Sequence, residues 1–158
     1  MKERRKSEFQ GRVINELKLA LPSLSVNEGT ARAVVAAFCA QLNPTATEIA
    51  DIKCAVSEAV TNCIVHAYRE TPGTVYIGVR IYDGRFVRVT VKDRGCGIAD
   101  VKKAREPLYT TDAGGERSGM GFTVMENFMD KLSVRSRVGS GTTVVMYKRI
   151  EPMTIEDL

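Results

Sequence analysis

The chain has 158 residues, 44% hydrophobic and 27% charged, the balance of a globular domain long enough to bury a core without disulfide or metal staples. The net charge of +4 is mild and its densest run, Lys2 with Arg4, Arg5 and Lys6, reads as a solvated tail; with no basic stripe interleaved with aromatic residues, nucleic acid binding is not expected. No run of about 18 apolar residues offers a membrane span and no signal-peptide core is present, so a single cytoplasmic domain over 1–158 is expected.

In chain order, residues 15–21 alternate Leu17, Leu19 and Leu21 as a strand would, although Val13, Ile14, Leu17 and Leu21 also fit a helix. Ser25 and Glu28 have capping-box spacing and open a predicted helix to about Leu42, ended by Asn43 and Pro44. Thr45 and Glu48 repeat that signature for a second helix reaching about Tyr68, with Ile49, Ile52, Val56, Val60, Cys63 and Ala67 as its core stripe. Cys39, Cys54 and Cys63 all fall in apolar helical patterns and no C-x-x-C spacing occurs, which reads as reduced core thiols.

The period then changes to two. Val75, Ile77, Val79 and Ile81 alternate, Asp83-Gly84 supplies a hairpin turn, and Val87, Val89 and Val91 alternate again. A short helix over 100–105 precedes a glycine-rich loop over 107–118, a third helix is predicted over about 120–132, and residues 133–138 and 142–149 form a last hairpin. Helices, hairpin, helix and hairpin in that order predict a two-layer α+β sandwich, a mostly antiparallel sheet with helices on one face.

Three constellations carry chemistry. Glu58, Asn62 and His66 fall at i, i+4 and i+8 on one helix face bordered by Ala55 and Ala59, where a carboxylate base could stand beside an amide that holds Mg²⁺; the same spacing also fits a solvated face. His66 is the only histidine, so a multi-histidine metal site is excluded. Asp93 shares the parity of Val87, Val89 and Val91, which points a carboxylate inward, where it could accept from an adenine amino group; a strand-ending turn is the alternative. Gly114, Gly115, Gly119 and Gly121 precede a helix, as a phosphate site or a flexible connector would. A P-loop is excluded because Met120 stands where Lys is required, and a Rossmann fingerprint because Val124 holds the third glycine position.

Taken together, EAVTN over 58–62, DRGCG over 93–97 and SGMGF over 118–122 resemble the three nucleotide-binding boxes of the GHKL superfamily of gyrase, histidine kinases and MutL. Within it, VSEAVTN, PLYTT, ERSGMGF and VMENFMD resemble the anti-sigma serine kinases of endospore-forming bacteria over about residues 15–150, leaving 1–14 and 151–158 as tails. The resemblance implies the Bergerat ATP-binding fold with a lid over 107–118. It also implies an ATP- and Mg²⁺-dependent kinase that inhibits a sporulation sigma factor and phosphorylates a serine of an anti-anti-sigma protein, as a homodimer.

By resemblance Glu58 is the general base, Asn62 the Mg²⁺ ligand, Asp93 the adenine reader, and Gly95 and Gly97 the floor under the base. Arg117, Ser118, Gly119 and Gly121 would serve the phosphates, and Arg32 the surface that meets both protein partners. The family pattern is departed from at Arg94 and at 112–115 in the lid. A general-stress anti-sigma kinase, or a binding module that holds ATP without transferring phosphate, would share these boxes.

Overall fold

The computed structural model describes residues 9–107 and 121–157. Five antiparallel strands form one sheet in the order β1-β2-β3-β5-β4, where β1 is Val13–Pro22, β2 Thr74–Tyr82, β3 Phe86–Lys92, β4 Lys131–Arg137 and β5 Gly141–Arg149. Helices α1 (Val26–Cys39), α2 (Ala46–Asn62) and α4 (Gly121–Phe128) form the second layer, with a one-turn α3 (Val101–Ala104) before the lid region. This is the α+β arrangement that the periodicities predict.

The core lies between the layers. Val75, Ile77, Val79 and Ile81 of β2, Val87, Val89 and Val91 of β3, and Val144 and Met146 of β5 all turn the same way and are buried, as period-2 alternation requires. Ala31 and Val35 of α1, Ile52, Val56 and Val60 of α2, and Phe122 and Met125 of α4 close over them. The opposite face of the sheet carries Glu16, Arg80 and Arg88, with Arg80 Nε donating to Glu16 across the β1–β2 pair at 2.7 Å. Residues 15–21 are therefore strand, and Leu17, Leu19 and Leu21 pack on the core from the sheet edge.

Local signals and tertiary context diverge at four places. Thr45 and Glu48 form the expected capping box, Glu48 N donating to Thr45 Oγ1 at 3.1 Å and Thr45 N to Glu48 Oε2 at 2.9 Å. Ser25 and Glu28 do not: Ser25 is already in helical φ/ψ, unlike the extended Thr45, and makes no side-chain cap, while the Glu28 carboxylate accepts from Arg32 at 2.9 Å. Thr45→Ala is accordingly expected to lower stability by about 1 kcal/mol, and Ser25→Ala to leave the urea midpoint unchanged. Cys39 and Cys63 are buried, whereas Cys54 is exposed, so the expectation of three core thiols is corrected to two.

Helix α4 stops at Phe128 and not near Leu132, because the β5 ladder captures the chain: Asp130 N donates to Tyr147 O at 2.9 Å and Leu132 pairs with Met146. In the β2–β3 hairpin, Arg85 and not Gly84 takes the left-handed position, φ 57°, and its guanidinium donates to Leu42 O at 2.8 Å and Ile150 O at 3.2 Å. No helix among the described residues is long and apolar enough to cross a membrane.

Candidate nucleotide site

Helix α2 does not end cleanly at Asn62. Residues Cys63–Ala67 continue it as a π turn, Tyr68 N reaching back five residues to Cys63 O at 3.1 Å. Such wider turns recur at functional sites, since they re-aim the side chains that follow a regular helix. The turn leaves the Ala67 carbonyl free of an intrahelical partner, and Cys96 N donates to it at 3.1 Å. That approach is why residue 95 is glycine: a Cβ there would stand 2.3 Å from Ala67 O. Gly97 lies at φ +76° against the Arg137 carbonyl, where an L side chain would be strained.

Together these contacts hold the end of β3 beside the π turn and define the position of Asp93. Its side chain is 4% exposed. Oδ1 accepts from Gly95 N at 2.9 Å and from Thr142 N at 3.2 Å, and Oδ2 accepts from the Cys63 thiol at 3.6 Å. Burial pushes the Asp93 carboxyl above the ordinary carboxylate range, while the two N–H donors and the thiol pull in the opposite direction. Burial likewise pushes the Cys39 thiol up to about 12, so it is unreactive at neutral pH.

A cavity of about 570 Å³ opens beside Asp93, between the α2–π-turn helix, the start of α4, residues 96–104 and strands β3 and β5. Val91, Val144, Ile98, Ala59 and Phe122 give it apolar walls, and Asn62, His66, Asp93 and Thr142 place polar atoms on them. A flat heteroaromatic ring suits such a space, with apolar faces above and below and a few polar groups to fix its edge. Arg94 lies outside the lining and stacks its guanidinium over Tyr76, 5.0 Å from the ring centroid.

At the other end of the cavity the first described turn of α4 meets the α2 face. A Cβ placed on Gly121 would stand 3.2 Å from Glu58 Oε2 and 3.3 Å from Asn62 Oδ1, a tight contact that those two side-chain ends would have to yield to by a few tenths of an ångström. The structure thus brings Glu58, Asn62, Gly121, Asp93 and Gly97 to one cavity or its rim. Gly95 stands behind it, against the helix end. Arg117, Ser118 and Gly119, with all of the lid except Pro107, lie outside the described residues. Arg32 is not in the cavity; it bridges α1 to α2 by donating to Glu28 Oε1 at 2.9 Å and Ser57 Oγ at 3.2 Å, its side chain 40% exposed.

Thr142 and Cys63 are the residues that sequence reading passed over as site residues. Thr142 had a usable signal, a hydroxyl at the buried parity of β5 in register with Val144 and Met146. Its hydroxyl is fixed by Ser136 Oγ at 2.8 Å, and Ser136 Oγ in turn accepts from Ile98 N at 2.7 Å. Cys63 reads as core by its helical spacing, and only its contact with a residue 30 positions away gives it a second role.

A helical layer over an antiparallel sheet, with a buried carboxylate in the wall of the cavity between them and an E-x-x-x-N helix face beside it, is the layout of a histidine kinase-like ATPase, and the model of that domain family matches residues 21–148. Among curated relatives, the anti-sigma F factor of Geobacillus sp. (strain WCH70) is 56% identical over 86% of this chain and 93% of its own length. That of Bacillus subtilis (strain 168) is 51% identical over the same shares. In fold the chain is similar to the crystal structure of the RsbU and RsbW domains of a Mycobacterium tuberculosis protein, with a TM-score of 0.62 and 23% identity over 86% of this chain and 32% of that one. The chain belongs to the anti-sigma F factor family of the histidine kinase-like ATPases. Membership of this ATPase family implies that the chain binds ATP.

Proposed function

We propose that this protein is a cytoplasmic, homodimeric anti-sigma kinase that holds sigma F inactive and phosphorylates a serine of an anti-anti-sigma protein, which inactivates that antagonist. The observation that carries the reading is the convergence of Glu58 and Asn62 on the start of α4, at the mouth of a cavity whose wall holds Asp93. An adenine pocket alone would need only the wall. A carboxylate at the phosphate end adds a base, which is what transfer to a hydroxyl requires.

In this reading the adenine amino group donates to Asp93 and the ring lies between the apolar walls. The phosphates run toward α4, where helix N–H groups favour anions, with Arg117, Ser118 and Gly119 contributing from the lid side. Asn62 Oδ1 and Glu58 Oε2 form an all-oxygen pair around the space that a Gly121 Cβ would fill, a donor set that fits Mg²⁺. Asn62 would hold the ion, which when bound supplies charge neutralisation to the phosphates. Glu58 takes the proton of the incoming serine as its oxygen bonds to the γ-phosphorus, the bond to the β-phosphate oxygen breaks, and ADP leaves.

The test is transfer of label from γ-labelled ATP to the serine of the anti-anti-sigma protein, with capture of sigma F measured in ATP and in ADP. Labelled antagonist together with nucleotide-dependent capture is expected. Capture without labelling would leave a binding module that holds ATP only as a ligand. Arg32 belongs to the protein-facing part of the same reading. Arg32→Ala should weaken binding of both sigma F and the antagonist by about 2 kcal/mol and leave ADP affinity unchanged. Titration of each partner checks this, and wild-type affinity for both removes Arg32 from the interface.

A further inference from the structure

The pairing of Cys63 with Asp93 is not accounted for by packing alone. Cys63 directly follows Asn62, opens the π turn, is 3% exposed, and lines the same cavity as Asp93. Its single thiol proton has two acceptors within reach, Ala59 O at 3.4 Å and Asp93 Oδ2 at 3.6 Å. The ionised carboxylate is the stronger acceptor of the two. Oδ1 is already committed to the N–H groups of Gly95 and Thr142. With Oδ2 held by the thiol, the carboxylate is engaged from both oxygens, and Oδ2, with one donor against two on Oδ1, is the oxygen with acceptor capacity left in a residue that lines the cavity.

We propose that Cys63 is a positioning residue for base recognition, its thiol orienting Asp93 so that Oδ2 accepts from the 6-amino group of adenine and the site prefers that base over a purine without the amino group. The inference rests on the reading of Asp93 as the adenine contact. Cys63 touches no part of the substrate in this account and acts only through Asp93. A hydroxyl at position 63 could do the same work, whereas alanine or valine could not, because neither has a proton to donate.

The experiment compares ADP with the diphosphate of purine riboside, which has hydrogen in place of the 6-amino group, by calorimetric titration of the full chain. The ligand pair isolates the 6-position, since sugar and phosphates are identical. Wild type is expected to prefer ADP. In Cys63→Val that preference should shrink about three- to tenfold, the worth of one hydrogen bond, with affinity for the purine riboside ligand unchanged. Cys63→Ser should restore it. Cys63→Ala, which removes volume where valine adds it, supplies the same comparison if valine does not fold. A donor-less variant that keeps the full wild-type preference, or that loses both ligands equally, overturns the role of Cys63 and leaves Asp93 standing. Absence of any preference in wild type overturns the Asp93 reading itself, and this proposal with it.

Discussion

Glu58→Gln is expected to slow phosphorylation of the anti-anti-sigma serine by about 10²- to 10⁴-fold while ATP and sigma F still bind. The substitution keeps the shape of the side chain and its reach toward Gly121, whose Cβ position lies 3.2 Å from Glu58 Oε2. What it removes is the ability to accept a proton. A positioned base of this kind contributes about 3 to 5 kcal/mol to the barrier, so the effect exceeds anything that a surface glutamate could produce. The variant becomes an inhibitor that can no longer inactivate its antagonist. Single-turnover transfer of labelled phosphate, run beside sigma F titration, separates the outcomes. A wild-type rate would remove Glu58 from the chemistry, and parallel loss of ATP binding would make it a nucleotide ligand.

For Asp93→Asn the expectation is opposite in sign for stability and for binding. Asparagine can keep an oxygen toward Gly95 N and Thr142 N, but it then presents an amide NH₂ where Oδ2 stood. That group faces the adenine amino group donor to donor, so ADP affinity should fall by about 10²-fold. The free protein responds differently. Burial is the largest influence on Asp93 and raises its pKa, so folding shifts this group toward the neutral form relative to the unfolded chain. A carboxyl group raised in this way imposes no ionisation cost below its unfolded pKa, and its cost grows as pH rises through the folded value. Near neutral pH the native carboxylate is therefore a liability that asparagine lacks. Asp93→Asn should unfold at an equal or higher urea concentration at pH 7, and its advantage should shrink as pH falls below the folded pKa and vanish below the unfolded one. Lower stability at pH 7 with intact ADP binding would contradict both halves of the argument.

Legibility in the sequence followed the range of each interaction. Alternation in 75–81 and 87–91, the capping box at Thr45, the two helical patterns before the strands and the inward parity of Asp93 all depend on neighbours within a few positions, and all could be read without coordinates. The E-x-x-x-N spacing could be read as one helix face, though not as a site, because a solvated face has the same pattern. Local signals were overridden in two ways: within α1 the Glu28 carboxylate pairs with Arg32 one turn on and Ser25 takes up helical φ/ψ, so no box forms, and at long range the β5 ladder claimed Leu132 from a helix-forming sequence.

Apart from residues 15–21, which fit either element, and the end of the third helix, the amino-acid sequence by itself determined which segments are helix and which strand, that the chain carries three motifs resembling nucleotide boxes, and that a carboxylate follows β3 at its inward parity. Only the tertiary structure decided that Gly121 closes onto Glu58 and Asn62, and that Gly95 serves the Ala67 carbonyl. The same holds for the clamp on Asp93, built from Thr142 on one side and Cys63 on the other. The physical reason is that residues 63, 93 and 142 have no relation along the chain. Their meeting depends on the β3–β5 register and on how a π turn at the end of α2 seats against that sheet, which are properties of the packed layers and of no single segment.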